Sequence, residues 1–437
     1  MWLTLYRALW VLARPAALLV ARGDSKIARA VRGRRAAAAT LAAWAAQHRD
    51  TRRPLAWFHA ASVGEGRQAE AVMRRWRERH PDWQIVYTHS SASAEKLAAS
   101  LPADIACYVP ADVPGDVARA LDALRPAMIV FSATDLWPEL VRQASSRGVR
   151  LALISATLAP TSSRRGTIAR AVLGPAYGAL DRAGAISTDD AAGLRALGAR
   201  RDAIVVTGDT RHDAAAARAA AVRLDMPELQ WLSSAGRPVV LAGSTWDSDE
   251  RPLLQAARDA GRNVTLVIAP HEPSEKHVAA LRAAAASQLG NAAITRLSEF
   301  DASSRRRSDA ATSSFSDVVI VDRVGILADL YAAAQIAFVG GGFHDAGLHS
   351  VIEPAALGVP VLFGPKWRSS RDAALLLEAG GARSCADAGE LTRALREWLE
   401  NEESRRVAGL AARQVVDAGI GAADRSVAML EDMLQKN

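Results

Sequence analysis

Glu65 stands in Phe58-His59-Ala60-Ala61-Ser62-Val63-Gly64-Glu65-Gly66, where an apolar run ends and a helical stretch begins. A carboxylate at a helix amino terminus, in a cleft, is placed to take a proton from a hydroxyl. One that only complements the helix dipole would sit there too. Gly64-x-Gly66-x-x-Ala69 also matches a dinucleotide fingerprint. Two features oppose a dehydrogenase. The next apolar run ends Tyr87-Thr88-His89-Ser90, with no acidic residue for a ribose, and Glu65 would face an anionic pyrophosphate. A second cluster, Ser132-Ala133-Thr134-Asp135-Leu136-Trp137-Pro138, places Asp135 at another strand end. Asp135 could stabilise positive charge, position a hydroxyl, or cap the helix beginning near Pro138. In Thr207-Gly208-Asp209-Thr210-Arg211-His212-Asp213, Arg211 is expected to reach an interdomain cleft and hold a phosphate or carboxylate. A domain-closing salt bridge is the alternative.

The second half carries a glycine-rich run, Val339-Gly340-Gly341-Gly342-Phe343, followed by Gly347-Leu348-His349-Ser350-Val351-Ile352-Glu353-Pro354. Side-chain-free backbone at a strand's carboxyl end suits a phosphate or sugar. Pro354 is expected to open a helix, which puts Glu353 at its mouth, facing ribose hydroxyls. Ser350-x-x-Glu353 also reads as a capping box with no ligand. Gly243-Ser244-Thr245, Pro270-His271-Glu272-Pro273 and Asp322-Arg323-Val324-Gly325-Ile326-Leu327 follow other apolar runs, where one ligand could touch several of them. Asp247-Ser248-Asp249 resembles a metal-binding D-x-D, but it opens a helix, so N-capping is preferred. The chain has no Walker A loop, zinc spacing or G-x-S-x-G elbow.

Short β-branched runs alternating with helical stretches must position these clusters. The first series is Leu55–Ala60, Ile85–Thr88, Ile105–Val109, Met128–Phe131, Leu151–Ile154, Gly184–Ile186 and Ile204–Val206. The second is Val239–Ala242, Val264–Ile268, Val318–Val321, Ile336–Val339 and Val361–Phe363. The alternation predicts parallel sheets with covering helices. The expected fold is α/β: two doubly wound Rossmann-like domains facing a cleft. The expected divisions are an anchor and basic segment over 1–35, an acceptor-binding domain over 36–215, a linker over 216–236, and a donor domain over 237–437 that includes the terminal helices. Ser298–Ser316, rich in serine and arginine, reads as a loop.

At 437 residues two domains are the default. The net charge of +7 and pI of about 9.8 imply an anionic partner. Cys107 and Cys385 lie far apart without metal-ligand spacing, which fits a reducing compartment. Residues 1–20 are mostly apolar, with Trp2, Tyr6 and Trp10 near the start and Arg7, Arg14 and Pro15 interrupting. Arg22, Lys26, Arg29, Arg32, Arg34 and Arg35 follow. No small-residue cleavage site is present, so an anchor at an anionic membrane surface is expected, with packing on its own domain as the alternative.

Together, Ser62-Val63-Gly64-Glu65, Asp135-Leu136-Trp137-Pro138, Gly243-Ser244-Thr245 and the block from Gly340 to Pro354 resemble the 3-deoxy-D-manno-octulosonic acid (Kdo) transferases, over nearly the whole chain. The resemblance implies the GT-B fold. It also implies inverting transfer of Kdo from CMP-Kdo to a lipid A precursor at the cytoplasmic face of the inner membrane. No metal, other cofactor or nucleic acid is implied. Glu65 matches the general base. Pro270-His271, Val324-Gly325-Ile326 and Ser350-Val351-Ile352-Glu353 match the cytidylate contacts, and Arg211 matches a lysine that assists the transition state. The sequence departs from M-E-T-E-L-W-P, since Ala133 replaces the first glutamate and Asp135 the second. Pro270-His271-Glu272 replaces P-R-H, and Gly347-Leu348-His349-Ser350 replaces G-G-H-N. The rival readings are a GT-B enzyme for a UDP or GDP sugar, a nucleotide-sugar epimerase, and a non-catalytic lipid-surface protein.

Overall fold

The computed structural model describes residues 6–7, 10, 21–23, 25–158, 162–234, 236–261, 264–299 and 317–435. The chain divides into two units, Met1–Ala214 with Gly419–Asn437, and Ala215–Ala418.

In the first unit the strands are β1 Leu55–His59, β2 Gln84–His89, β3 Ile105–Tyr108, β4 Met128–Ser132, β5 Arg150–Ala156, β6 Arg182–Ala185 and β7 Ile204–Val206. They form one parallel sheet in the order β3-β2-β1-β4-β5-β6-β7. Every residue of β1, β2 and β4 is buried. Helices cover both faces, so these strands read as continuous apolar runs. Their side chains still alternate: Leu55 and Trp57 enter one core, Ala56 and Phe58 the other. The helix Val63–Arg79 buries Ala69, Val72, Met73 and Trp76, a spacing that gives it one apolar face.

The second unit repeats the design. Its strands are β8 Val239–Thr245, β9 Thr265–Pro270, β10 Ile294–Arg296, β11 Val318–Ile320, β12 Ile336–Val339, β13 Val361–Phe363 and β14 Ala382–Ser384. The parallel order is β10-β11-β9-β8-β12-β13-β14. In each sheet the first strand lies between two that leave it in opposite directions: β1 between β2 and β4, β8 between β9 and β12. That is the switch point where doubly wound sheets bind ligands, outside the strand carboxyl ends.

Three expected boundaries move. The helices Thr210–Ala220 and Pro227–Ser233 occupy most of the expected linker, and Leu229 and Leu232 enter the second core. The helix Lys26–His48 runs through the expected break at residue 35. It packs on β3 and the helix Pro114–Leu124, burying Ala28, Ala37, Ala38 and Leu41. Gly33 lies so near the Tyr108 ring that a Cβ would overlap it. The last helix, Ala422–Gln435, belongs to the first unit, where Val427, Leu430 and Met433 complete a core. Each such buried side chain is worth roughly 1.5–3 kcal/mol, and Asp424 and Asp432 add ion pairs to Arg75, Arg79 and Arg182.

No helix among the described residues is long and apolar enough to cross a membrane. Apart from Tyr6, Arg7 and Trp10, the expected anchor at residues 1–20 lies outside the described residues, as does most of the expected loop Ser298–Ser316.

Candidate active site

At the switch point of the first sheet, Ser62 and Glu65 form a reciprocal capping box at the start of the helix Val63–Arg79. Both backbone donors, Ala61 N at 2.7 Å and Ser62 N at 3.2 Å, bond to the same oxygen, Oε2. Among the described residues Oε1 accepts nothing, so the cap uses only one carboxylate oxygen. Burial raises the Glu65 pKa and the nearby Asp135 charge adds to the rise, while the Ala61 N–H opposes it. A carboxylate with a spare oxygen and raised basicity is what a general base requires.

Asp135 arrives on the loop after β4. Its Oδ2 lies 3.7 Å from His59 Nε2, and Oδ1 lies 3.5 Å from Arg164. Burial alone would raise its pKa, but nearby positive charges, Arg164 and Arg34 among them, hold it below the ordinary carboxylate range. His59 is fully buried at the end of β1 and its partners satisfy both ring nitrogens. Trp137 donates its indole N–H to Nε2 at 2.9 Å, and Nδ1 lies 3.0 Å from Thr88 Oγ1. The indole can only donate, so Nε2 is the acceptor and Nδ1 carries the proton.

Asp135 does not cap the helix after Pro138. Asp112 does, accepting from Glu139 N and Leu140 N at 2.9 Å each. Ala133, where the resemblance calls for a glutamate, is buried with φ 61°. Ser155 and Ser244 also have positive φ, and each lies where the register of its strand shifts. Left-handed non-glycine residues carry strain and collect at functional strand ends.

Arg211 is partly exposed and pairs with its own neighbour in the sequence motif. Its guanidinium folds back on Asp209, with Nε to Oδ2 at 2.8 Å. Gln68, on the same helix as Glu65, donates to the other Asp209 oxygen. This ion pair lies within the first unit.

In the second unit Asp249 governs the glycine-rich loop. It is fully buried, and it accepts from Trp246 N at 2.9 Å, Gly341 N at 2.8 Å and Phe343 N at 3.0 Å. Capping is therefore its role at the helix Asp247–Ala260, and the same carboxylate shapes the loop. Gly341 has φ 89°, and a Cβ there would strike the Gly347 carbonyl oxygen. A Cβ on Gly342 would strike the backbone of Gly364. The glycines are thus required by close backbone approach.

Four rings gather over this loop. Trp246 stacks on His344 at 4.2 Å and on His271 at 4.7 Å, and His271 stacks on His349 at 4.6 Å. Trp246 donates its N–H to His349 Nε2 at 3.2 Å. Burial and the neighbouring His271 push His349 down to about 4, so it is neutral at pH 7 and cannot serve as a cation. Asp247, Glu250 and His277 bring one ligand atom each within 4.8 Å, but His277 already joins the two carboxylates, at 3.2 and 2.8 Å.

Pro270, His271, Gly341 and Gly342 are brought together around β8. Val324, Gly325 and Ile326 follow β11, one strand beyond β9. Val324 and Gly325 are exposed, whereas Ile326 is in the core and offers only backbone. Val351 and Ile352 are core residues too. The helix begins at Ile352 rather than Pro354, spans five residues, and has no side-chain cap, so the Ser350–Glu353 capping box does not form. So short a helix carries little dipole. Glu353 lies in its first turn.

Sequence reasoning gave no role to His59, Trp246, His344 or Asp112. A histidine ending an apolar strand, and a tryptophan directly after Gly243-Ser244-Thr245, were the available signals.

Comparison with known proteins agrees with the motifs. A family model described as 3-deoxy-D-manno-octulosonic-acid transferase (kdotransferase) matches residues 31–214. The 3-deoxy-D-manno-octulosonic acid transferase of Bordetella pertussis is 30% identical over 398 residues, 86% of this chain and 87% of its own. That of Chlamydophila psittaci is 30% identical over 359 residues, 80% of this chain and 79% of its own. Two solved structures share the fold at low identity. UDP-GlcNAc 2-epimerase from Neisseria meningitidis has TM-score 0.59 and 14% identity, covering 88% of this chain and 100% of its own. A glycosyltransferase from Rickettsia africae has TM-score 0.60 and 10% identity, with the same coverage. With relatives at this identity along most of its length, the chain is a glycosyltransferase and belongs to the 3-deoxy-D-manno-octulosonic acid transferase family.

Proposed function

We propose that the enzyme transfers Kdo from CMP-Kdo to a lipid A precursor, with inversion at the anomeric carbon and without a metal ion, at the cytoplasmic face of the inner membrane. The observation that carries this reading is Glu65: a helix-capping carboxylate at a switch point, with one oxygen unused and its basicity raised. Glu65 Oε1 removes the proton from an acceptor hydroxyl. The oxygen attacks the anomeric carbon, the bond to the CMP phosphate breaks, and the electron pair leaves with that phosphate. Asp135, held ionised, stabilises the positive charge that develops on the sugar. Arg211, steadied by Asp209, assists the departing phosphate. In the donor unit Glu353 accepts from ribose hydroxyls, and Gly341 and Gly342 form the close-approach wall beside His271. The basic, apolar amino terminus holds the protein at an anionic membrane.

The test is purified protein with CMP-Kdo, generated in situ, and a tetra-acylated lipid A precursor, read by mass spectrometry and run with and without EDTA. Added mass in whole Kdo units, unaffected by EDTA, is expected. No added mass, with a UDP or GDP sugar active instead, overturns the donor assignment.

A further inference from the structure

Tyr6, Arg7 and Trp10 do more in the structure than a membrane anchor requires. Tyr6 donates its hydroxyl to Asp112 Oδ2 at 2.8 Å. Arg7 meets Glu139 through two bonds, Nε to Oε2 at 2.9 Å and Nη2 to Oε1 at 3.0 Å. Asp112 and Glu139 are both buried; Glu139 lies in the first turn of the helix Pro138–Ser146, the first element after Asp135 and Trp137, and Asp112, from the loop after β3, caps that turn. Burial drives the Asp112 carboxyl upward, and the Tyr6 hydroxyl is among the donors that resist it.

Arg34 completes the bracket. Its guanidinium lies over the Trp137 ring at 4.0 Å and the Trp10 ring at 5.3 Å, a cation between two aromatic faces. Nη2 reaches the Pro110 carbonyl, but among the described residues the buried Nε has no hydrogen-bond partner. A guanidinium left partly unsatisfied is held by its surroundings, here the two rings and the charges of Asp112 and Asp135. The contacts run Trp10, Arg34, Trp137, His59, and Asp135 lies against the last.

We propose that Tyr6, Arg7 and Trp10 are a structural part of the active site, with Arg34 and Arg7 as positioning residues that set the Asp135–Trp137 loop against His59 and Glu65. The inference rests on the proposed transferase reading, but its test separates the two. The full chain and its Arg7→Met, Tyr6→Phe and Arg34→Met variants are assayed on a deacylated, water-soluble acceptor and on the acylated precursor. If the segment served only as an anchor, the soluble acceptor would be turned over at the wild-type rate. Positioning predicts a fall in kcat of about tenfold to a hundredfold on the soluble acceptor for Arg7→Met and Arg34→Met, the range of small misplacements, with KM for CMP-Kdo within about twofold. Arg34→Lys keeps the charge without the planar stack and should recover part of the loss.

Hydrogen exchange at Glu139 and Leu140 supplies a readout independent of turnover. Faster exchange at these amides in Tyr6→Phe is expected, because Asp112 loses the donor that fixes it. Unchanged kcat on the soluble acceptor in all three variants, or wild-type exchange in Tyr6→Phe, overturns the proposal. A wild-type protein that transfers no Kdo sinks the transferase reading instead and leaves the exchange result standing. If Arg7→Met does not fold, Tyr6→Phe, which removes one oxygen, decides.

Discussion

Replacing Glu65 with Gln separates chemistry from structure unusually well here. Both capping amides bond to Oε2 alone, so a glutamine carbonyl oxygen can take both and leave its NH2 where Oε1 now stands. Two charge-assisted bonds become neutral, which weakens each by about 1 kcal/mol. Losing the favourable helix-dipole term costs a further ~0.3–1 kcal/mol. Against that, a half-buried charge is removed together with its repulsion from Asp135. The stability change should therefore stay within about 1–2 kcal/mol. The catalytic change should be far larger. Loss of a positioned general base lowers kcat by roughly 10²–10⁴, or about 3–5 kcal/mol of barrier. The assay is initial-rate transfer to the lipid acceptor beside calorimetric titration with CMP. A kcat within a few-fold of wild type refutes the assignment of Glu65. Equal losses of CMP affinity and of kcat would mean that the substitution disturbs the fold.

The remaining predictions concern the groups around the two switch points. Asp135→Asn removes a negative charge that helps raise the Glu65 pKa. A base works above its pKa, so the acid limb of the kcat–pH profile should move to lower pH, and a limb that stays in place would show that the two carboxylates are uncoupled. Asp249→Asn leaves one oxygen for three backbone donors and turns an NH2 toward at least one of them. A local cost of about 2–4 kcal/mol should appear as faster hydrogen exchange at Gly341 and Phe343 and weaker CMP binding, while retained CMP affinity would argue against the glycine loop as donor wall. Gly341→Ala combines positive φ with a Cβ against the Gly347 carbonyl, so a loss of more than ~2 kcal/mol in thermal stability is expected.

Strand positions could be read wherever both faces are buried, because β1, β4, β8 and β12 are apolar runs that hydrophobicity alone marks. β10 and β14 escaped because they are three-residue, partly exposed edge strands with no such run. The helix Ala422–Gln435 was legible as a helix, but not as a member of the first unit, since Val427, Leu430 and Met433 would suit any apolar surface. Glu65 stood out because a carboxylate between glycines conflicts with phosphate binding. The partners of Asp135 and Arg211 lay out of reach. Nothing local says that Asp112 would cap the helix after Pro138, and the Arg211–Asp209 pair depends on a side-chain turn that spacing does not specify.

The two sheets carry an acidic residue at matching places, and their different fates separate base from scaffold. Glu65 and Asp249 each lie in the first turn of the helix that follows the central strand, and each bonds back to the backbone at its helix entrance. Asp249 has a third acceptance to make, because the loop after β12 folds down onto it through the amides of Gly341 and Phe343, and neither oxygen is left unused. The loop after β4 makes no such contact with Glu65. It turns at Ala133 instead and brings Asp135, not an amide, toward the first carboxylate. A donor amide there would have lowered the Glu65 pKa and occupied its second oxygen, whereas a second carboxylate raises the pKa and leaves that oxygen available. The same cap is thus a loop clamp in one unit and, in the proposed mechanism, a proton acceptor in the other, and the difference lies in what the neighbouring strand's loop presents to it.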